Sequence, residues 1–203
     1  MDLLQNFLIA FLFSFLGSIP PGTLNLTVLQ LGLEKKINIA WRFAAAAAFI
    51  EYPYAWLAVA FESYITASPM VLNNFKLISA VVMIALGGLN IWSAYKPTVF
   101  TEKFQQSGFR RGVILGILNP LALPFWIAVT AYLSVQGWID LTGHVRLHLY
   151  LLGVSVGAFS LFMLLAFMAK RMVVILQPRS KVKLVPGIIL LALGLYAFVE
   201  YLL

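Results

Sequence analysis

One carboxylate sits where a chain this apolar should not carry one. Glu51 lies in the run Ala44-Ala45-Ala46-Ala47-Ala48-Phe49-Ile50-Glu51-Tyr52-Pro53-Tyr54, and no other ionisable residue falls so deep inside a long hydrophobic stretch. Charging an acid at mid-bilayer costs at least about 2.5–3.5 kcal/mol on insertion scales, so such residues face a bundle interior and mark ion or substrate pathways. An acid that meets dry and wet surroundings in turn can take up a proton and release it. The chemistry suggested for Glu51 is therefore proton coupling, or recognition of a substrate ammonium; a protonated Glu hydrogen-bonded for packing is the plainer alternative. On helical spacing its face carries Ala44, Ala47, Ala48, Tyr54, Ala55 and Ala58. A stripe that small suits close approach of another helix rather than lipid, so Glu51 is expected to point inward. Pro53 frees the carbonyl of Phe49 beside it, an extra acceptor.

Two further stretches could bind a solute. The first reads Gly17-Ser18-Ile19-Pro20-Pro21-Gly22-Thr23, with Asn25 just beyond, and the second Gly116-Ile117-Leu118-Asn119-Pro120, followed by Pro124-Phe125-Trp126. Successive prolines with glycine break a helix, and Asn-Pro reads as an N-cap with proline opening a new helix. Breaks inside a membrane expose backbone groups that only protein or a water-lined cavity can satisfy. Paired interruptions in corresponding positions of two halves point to a transporter's central site, where half-helix N-termini attract an anionic group such as a carboxylate. The candidate substrate-binding residues are Ser18, Pro20, Pro21, Gly22, Thr23, Asn25, Asn119, Pro120, Pro124 and Trp126, around a wet, enclosed chamber. Kinks of packing value alone are the simpler reading.

The elements that must hold these residues follow from composition. Of 203 residues, 62% are hydrophobic and 10% charged, and mean hydropathy is +0.95; a soluble domain carries about 45–50% and about 25%. Hydrophobic runs at about 7–31, 40–61, 71–95, 112–135, 147–169 and 184–203 each approach the roughly 20 residues a helical crossing needs. The expected fold is an all-α polytopic membrane protein of six transmembrane helices, with helices 1 and 4 broken. Lys35, Lys36, Arg42, Lys96, Lys103, Arg110, Arg111, Lys170, Arg171, Arg179, Lys181 and Lys183 fall in alternate loops, against Lys76 and Arg146 in the others. The positive-inside rule then puts the basic loops in the cytoplasm and both termini outside the cytoplasmic membrane. The chain opens Met1-Asp2-Leu3-Leu4 without a basic n-region, so the first run is expected to stay as a membrane helix. Three spans per half make two homologous triplets inverted: residues 1–95 form the first, 96–111 a cytoplasmic linker, and 112–203 the second. An offset of 99 residues supports this by pairing Gly17 with Gly116, Pro21 with Pro120 and Gly88 with Gly187.

Other chemistry is excluded or weak. The chain has no cysteine, which rules out disulfides, thiolate metal sites and iron–sulfur clusters. A pI of about 9.8 could suggest nucleic acid, but loop topology explains the basic residues, and no nucleic-acid partner is expected. His144 and His148, at i and i+4, have no carboxylate or cysteine to complete a metal site and read as an interfacial pair. Gly153 and Gly157 form a GxxxG suited to close helix packing, within the chain or in a homodimer. Trp41, Trp92, Trp138, Tyr95 and Tyr201 fall near span ends and read as interfacial belt. No catalytic constellation appears, so no enzyme, cofactor or resident metal is expected.

At its two breaks the chain resembles the lysine-exporter (LysE) superfamily of small six-span transporters. The resemblance rests on Gly17 to Asn25 (GSIPPGTLN), Gly116 to Trp126 (GILNPLALPFW) and the acid at Glu51, and with span count it covers essentially the whole chain. It implies proton-coupled export of amino acids or related small metabolites through an inverted 3 + 3 architecture. Two positions depart from the family pattern. Pro20-Pro21-Gly22 stands where Pro-Gly-Pro is usual, and Leu121 stands where a lysine commonly follows Asn-Pro, so a positive partner for a substrate carboxylate is missing there. The expected partners are a zwitterionic small molecule, protons and membrane lipid. Rival readings are a metal-cation exporter of the same superfamily and a non-transporting membrane protein that handles lipid head groups.

Overall fold

The computed structural model describes residues 3–19, 22–67, 107–119 and 122–171, with scattered positions between 77 and 91 and between 188 and 199. Pro20, Pro21 and Pro120, most of the expected third and sixth spans, and Trp92, Tyr95 and Tyr201 lie outside the described residues. Those described are helical with short turns, and no strand occurs among them. The helices are α1 (Leu3–Gly17), α2 (Thr23–Leu33), α3 (Ile37–Ala67), α4 (Gly108–Ile117), α5 (Ala122–Val135) and α6 (His144–Phe167).

Helix length says what each can do in a bilayer. At about 1.5 Å per residue, neither α1 nor α2 alone reaches across a hydrocarbon core of about 30 Å. The run expected as the first span therefore holds two shorter apolar helices. α3 and α6 are long and apolar enough to cross, and α4 with α5, bent by 65° at the interruption, reaches that length only as a pair. Pro53 is accommodated inside α3.

The chain divides into two compact units, one of Met1–Val59 with Phe100–Gln177, the other of Ala60–Val99 with Pro178–Leu203. Each draws on both halves of the sequence. In the second unit Gly194 packs against Ala80 and Ile84. The first unit carries every described candidate residue.

Glycines decide how closely its helices pack. α6 runs along α1 and α2, and a Cβ added at Gly153 or Gly157 would collide with the carbonyls of Phe7 and Phe11 on α1. The GxxxG is thus used inside the chain. On α4, Gly108 and Gly112 press against the carbonyls of Ile39 and Phe43 on α3 in the same manner. Contact this close maximises dispersion where lipid removes most of the hydrophobic drive between helices. Ser14 Oγ pairs across the α1–α6 seam, donating to the Val154 carbonyl at 2.5 Å, and between α5 and α6 the Thr130 and Tyr150 hydroxyls are 2.8 Å apart.

A polar knot closes one end of the unit. The buried Asn6 side chain on α1 donates to the Asp140 carbonyl at 2.6 Å and accepts from its amide at 3.2 Å. Asp140 also accepts from the Thr142 amide and hydroxyl, and pairs with Arg146. The two histidines do not act as a pair. His148 Nδ1 lies 2.5 Å from Tyr52 Oη on α3, their rings stacked, while His144 is exposed. No group of three metal-ligating side chains occurs among the described residues.

Candidate functional site

The first break begins where α1 stops at Gly17. Two tight turns follow, from the Ser18 amide to Ser14 and the Ile19 amide to Leu16. α2 then starts at Thr23, with Gly22 extended at its N-cap (φ −122°, ψ −177°) and no side-chain cap. Ending a helix orphans its last carbonyls. Asn25, buried on the first turn of α2, turns back and donates its amide to the carbonyls of Ser18 at 2.7 Å and Ile19 at 3.4 Å. The break is therefore held by a side chain from the helix it precedes.

The second break is held from a different element. α4 ends at Ile117, and its carbonyl accepts from Tyr54 Oη on α3 at 2.7 Å. The Asn119 amide donates to Gly116 at 3.1 Å, and the Asn119 carbonyl accepts from Ala122 at 3.4 Å. Among the described residues α5 runs from Ala122, and Pro120, which the Asn-Pro signal placed at the first position of the new helix, lies outside them. Pro124 falls in the first turn of α5, where a missing amide hydrogen costs no helical bond.

The two interruptions meet. A Cβ added at Gly17 would run into the ring of Phe125, so the end of α1 seats directly on the first turn of α5. Gly116, at the end of α4, packs against Ile50 of α3. Glu51 follows, only 8% exposed, and its Oε2 accepts from Trp126 Nε1 at 2.7 Å. Ala44, Ala47, Ala48, Ala55 and Ala58 are all buried, as the small stripe required. Trp126 is 2% exposed and stands edge-on to Phe125 and Tyr150 at 5.1 and 6.4 Å between centroids.

The buried acid, the tryptophan after the second break and the end of the first helix therefore form one cluster. Gly22 and Thr23 are exposed, and Ser18, Asn119 and Pro124 are half-buried. In this arrangement Trp126 donates to one oxygen of the buried Glu51 carboxyl. A groove of about 360 Å³ between α3 and α6, lined by residues such as Ala48, Tyr52, Leu152 and Ser155, holds neither Glu51 nor a break. Sequence reasoning missed Tyr54 as the holder of the second break, although its place three residues after Glu51 already put it on the inward face. It also missed Phe125, whose contact with Gly17 no spacing could announce.

The geometry offers a protonatable group, backbone breaks held by replaceable side-chain hydrogen bonds, and close-packed seams between half-helices and full spans. Comparison with proteins of curated function gives no match, and neither does comparison with solved structures. The family model of the LysE type translocator matches residues 15–201, which takes in both breaks and Glu51. Covering most of the chain, that match makes it a member of the LysE type translocator family.

Proposed function

We propose that this protein is a secondary active transporter that exports amino acids or related small zwitterions across the cytoplasmic membrane, exchanging a proton at Glu51. Membership of its family makes it an integral membrane protein that moves small molecules. The observation that carries the finer reading is the Trp126–Glu51 hydrogen bond, which ties the buried acid to the helix beginning after the second break. Protonation of Glu51 removes the charge that Trp126 stabilises, so the proton and the position of α5 bias one another. The solute sits at the breaks, with Asn25, Asn119 and the starts of α2 and α5 in reach of its charged groups.

The packing supports two inverted triplets. The second half-helices start at Thr23 and Ala122, which are 99 residues apart, the offset at which Gly17 matches Gly116. Each first half-helix rests through glycine contacts on the long helix of the other triplet, α1 on α6 and α4 on α3. Alternating access is then rocking of one triplet against the other. Proteoliposomes loaded with the standard protein amino acids test the reading. A pH gradient drives efflux of at least one of them through the unaltered protein, and Glu51→Gln abolishes the gradient-driven part. Unchanged gradient-driven efflux in that variant removes Glu51 from the mechanism.

A further inference from the structure

Arg110 and Arg111 are neighbours at the start of α4 and have opposite fates. Arg110 is exposed, as a basic residue near a span end should be, with its long side chain free to reach the interface. Arg111 is 7% exposed, and no other cation is buried among the described residues. Its single side-chain hydrogen bond is long, from Nη2 to Thr27 Oγ1 of α2 at 3.4 Å, and Thr27 is itself buried.

A buried guanidinium needs a counter-charge, because desolvating it is costly unless it is paired and hydrogen-bonded. Among the described residues no carboxylate comes within ion-pair distance of it. Glu34, at the end of α2, acts on Arg111 through its charge from beyond ion-pair distance; it is exposed and directly engaged by Lys36 at 2.8 Å and Gln30 at 2.9 Å. Arg111 cannot be released by a small roll of α4 either. Gly108 and Gly112 lock that helix onto the carbonyls of Ile39 and Phe43, which holds the Arg111 side chain against α2.

We infer that Arg111, with Thr27, forms a receptor for the carboxylate of the exported solute on its approach to the breaks. The planar fork of a guanidinium matches a carboxylate in two parallel hydrogen bonds, and the Thr27 hydroxyl can turn to donate a third. Arg111 precedes Leu118 by seven residues, about 10 Å of helix rise, so the receptor lies before the second break and on the end of α4 with the basic loop. It supplies the cation that Leu121 fails to provide after Asn119-Pro120. The inference deepens the proposed export of small zwitterions and rests on it for the identity of the ligand.

Two arms test it and separate its failure from that of the transport reading. In the first, the full chain in nanodiscs is titrated with sodium acetate against sodium chloride at equal ionic strength, with thermal unfolding as the readout. Acetate raises the unfolding temperature of the unaltered protein and of Arg110→Gln; in Arg111→Gln the apparent affinity falls at least about tenfold, and Arg111→Lys, which keeps the charge, retains part of it. An equal acetate response in Arg111→Gln overturns the receptor. A response to inorganic phosphate with none to acetate also overturns it, by assigning the guanidinium to a lipid headgroup. In the second arm, efflux from proteoliposomes is compared for a transported amino acid and its carboxamide. Arg111→Gln raises KM for the acid while leaving kcat, and loses the preference over the amide; an unchanged KM overturns the receptor even where transport is intact. Acetate binding without efflux of any amino acid leaves the receptor standing and removes the transport reading.

Discussion

Glu51 and Trp126 are 75 residues apart and share one hydrogen bond at 2.7 Å in a setting with little water. A buried acceptor stripped of its donor loses about 1–3 kcal/mol, whereas removing both partners leaves much smaller damage. Trp126→Phe keeps an aromatic ring beside Phe125 and Tyr150 but removes the indole donor. It is expected to destabilise the protein by about 1–3 kcal/mol, read by thermal or denaturant unfolding in detergent. Made on a Glu51→Met background, the same substitution should cost about 1 kcal/mol less, the difference being the coupling between the two side chains. Equal costs on both backgrounds would make the contact incidental. Glu51 itself was legible in the sequence, since an acid amid alanines declares its own interior face. Its donor was not, because a tryptophan in an apolar run looks the same whether it faces lipid or a carboxylate.

Helix interruptions were legible at the scale of elements because glycine and proline act locally. The runs Gly17-Ser18-Ile19-Pro20-Pro21-Gly22 and Gly116-Ile117-Leu118-Asn119-Pro120 carry the cause of each break in their own side chains. What lay beyond local reading was how each break is held: Asn25 reaches back from α2, whereas the second break depends on Tyr54 from another helix. Likewise hydropathy counted Arg111 as one more loop charge, and only packing of α4 on α3 reveals its burial. The glycine seams give a prediction with an internal control. Gly157 faces a backbone carbonyl that cannot step aside, so Gly157→Val should cost about 1–3 kcal/mol or more through overpacking of α6 against α1. At Gly22 nothing lies within 4 Å of an added Cβ, and its extended φ suits any residue. Gly22→Ala should therefore leave the unfolding temperature nearly unchanged; a comparable loss at both sites would show that α6 does not rely on the close approach.

At the scale of the molecule, the first helix is tied to a loop more than a hundred residues away, through Asn6 and the main chain of Asp140. Nothing in the pattern of apolar runs marks that tie, since it depends on one amide side chain meeting one loop in three dimensions. The loop keeps its shape through the Asp140 carboxylate. Hydrogen bonds from the Thr142 hydroxyl and amide, with the Arg146 charge, hold that carboxyl below its ordinary value of 3.8. The sign of the pH effect follows by linkage: the unfolded chain takes up this proton at a higher pH than the folded one, so the stabilisation is fully present above the ordinary value. It is lost as pH falls through the lower, folded value. Unfolding temperatures compared between the unaltered protein and Asp140→Asn isolate the contribution, because Glu34 and Glu51 titrate in both. The two curves should lie apart at neutral pH, with the unaltered protein higher, and converge below about pH 4 as Asp140 protonates. Asn6→Leu should lower both curves together without moving the pH at which they converge, since it removes the tie to α1 and leaves the loop's own hydrogen bonds intact. Curves that stay parallel down to strong acid would mean that the carboxylate does not hold the loop, and that α1 is anchored there by the main chain alone.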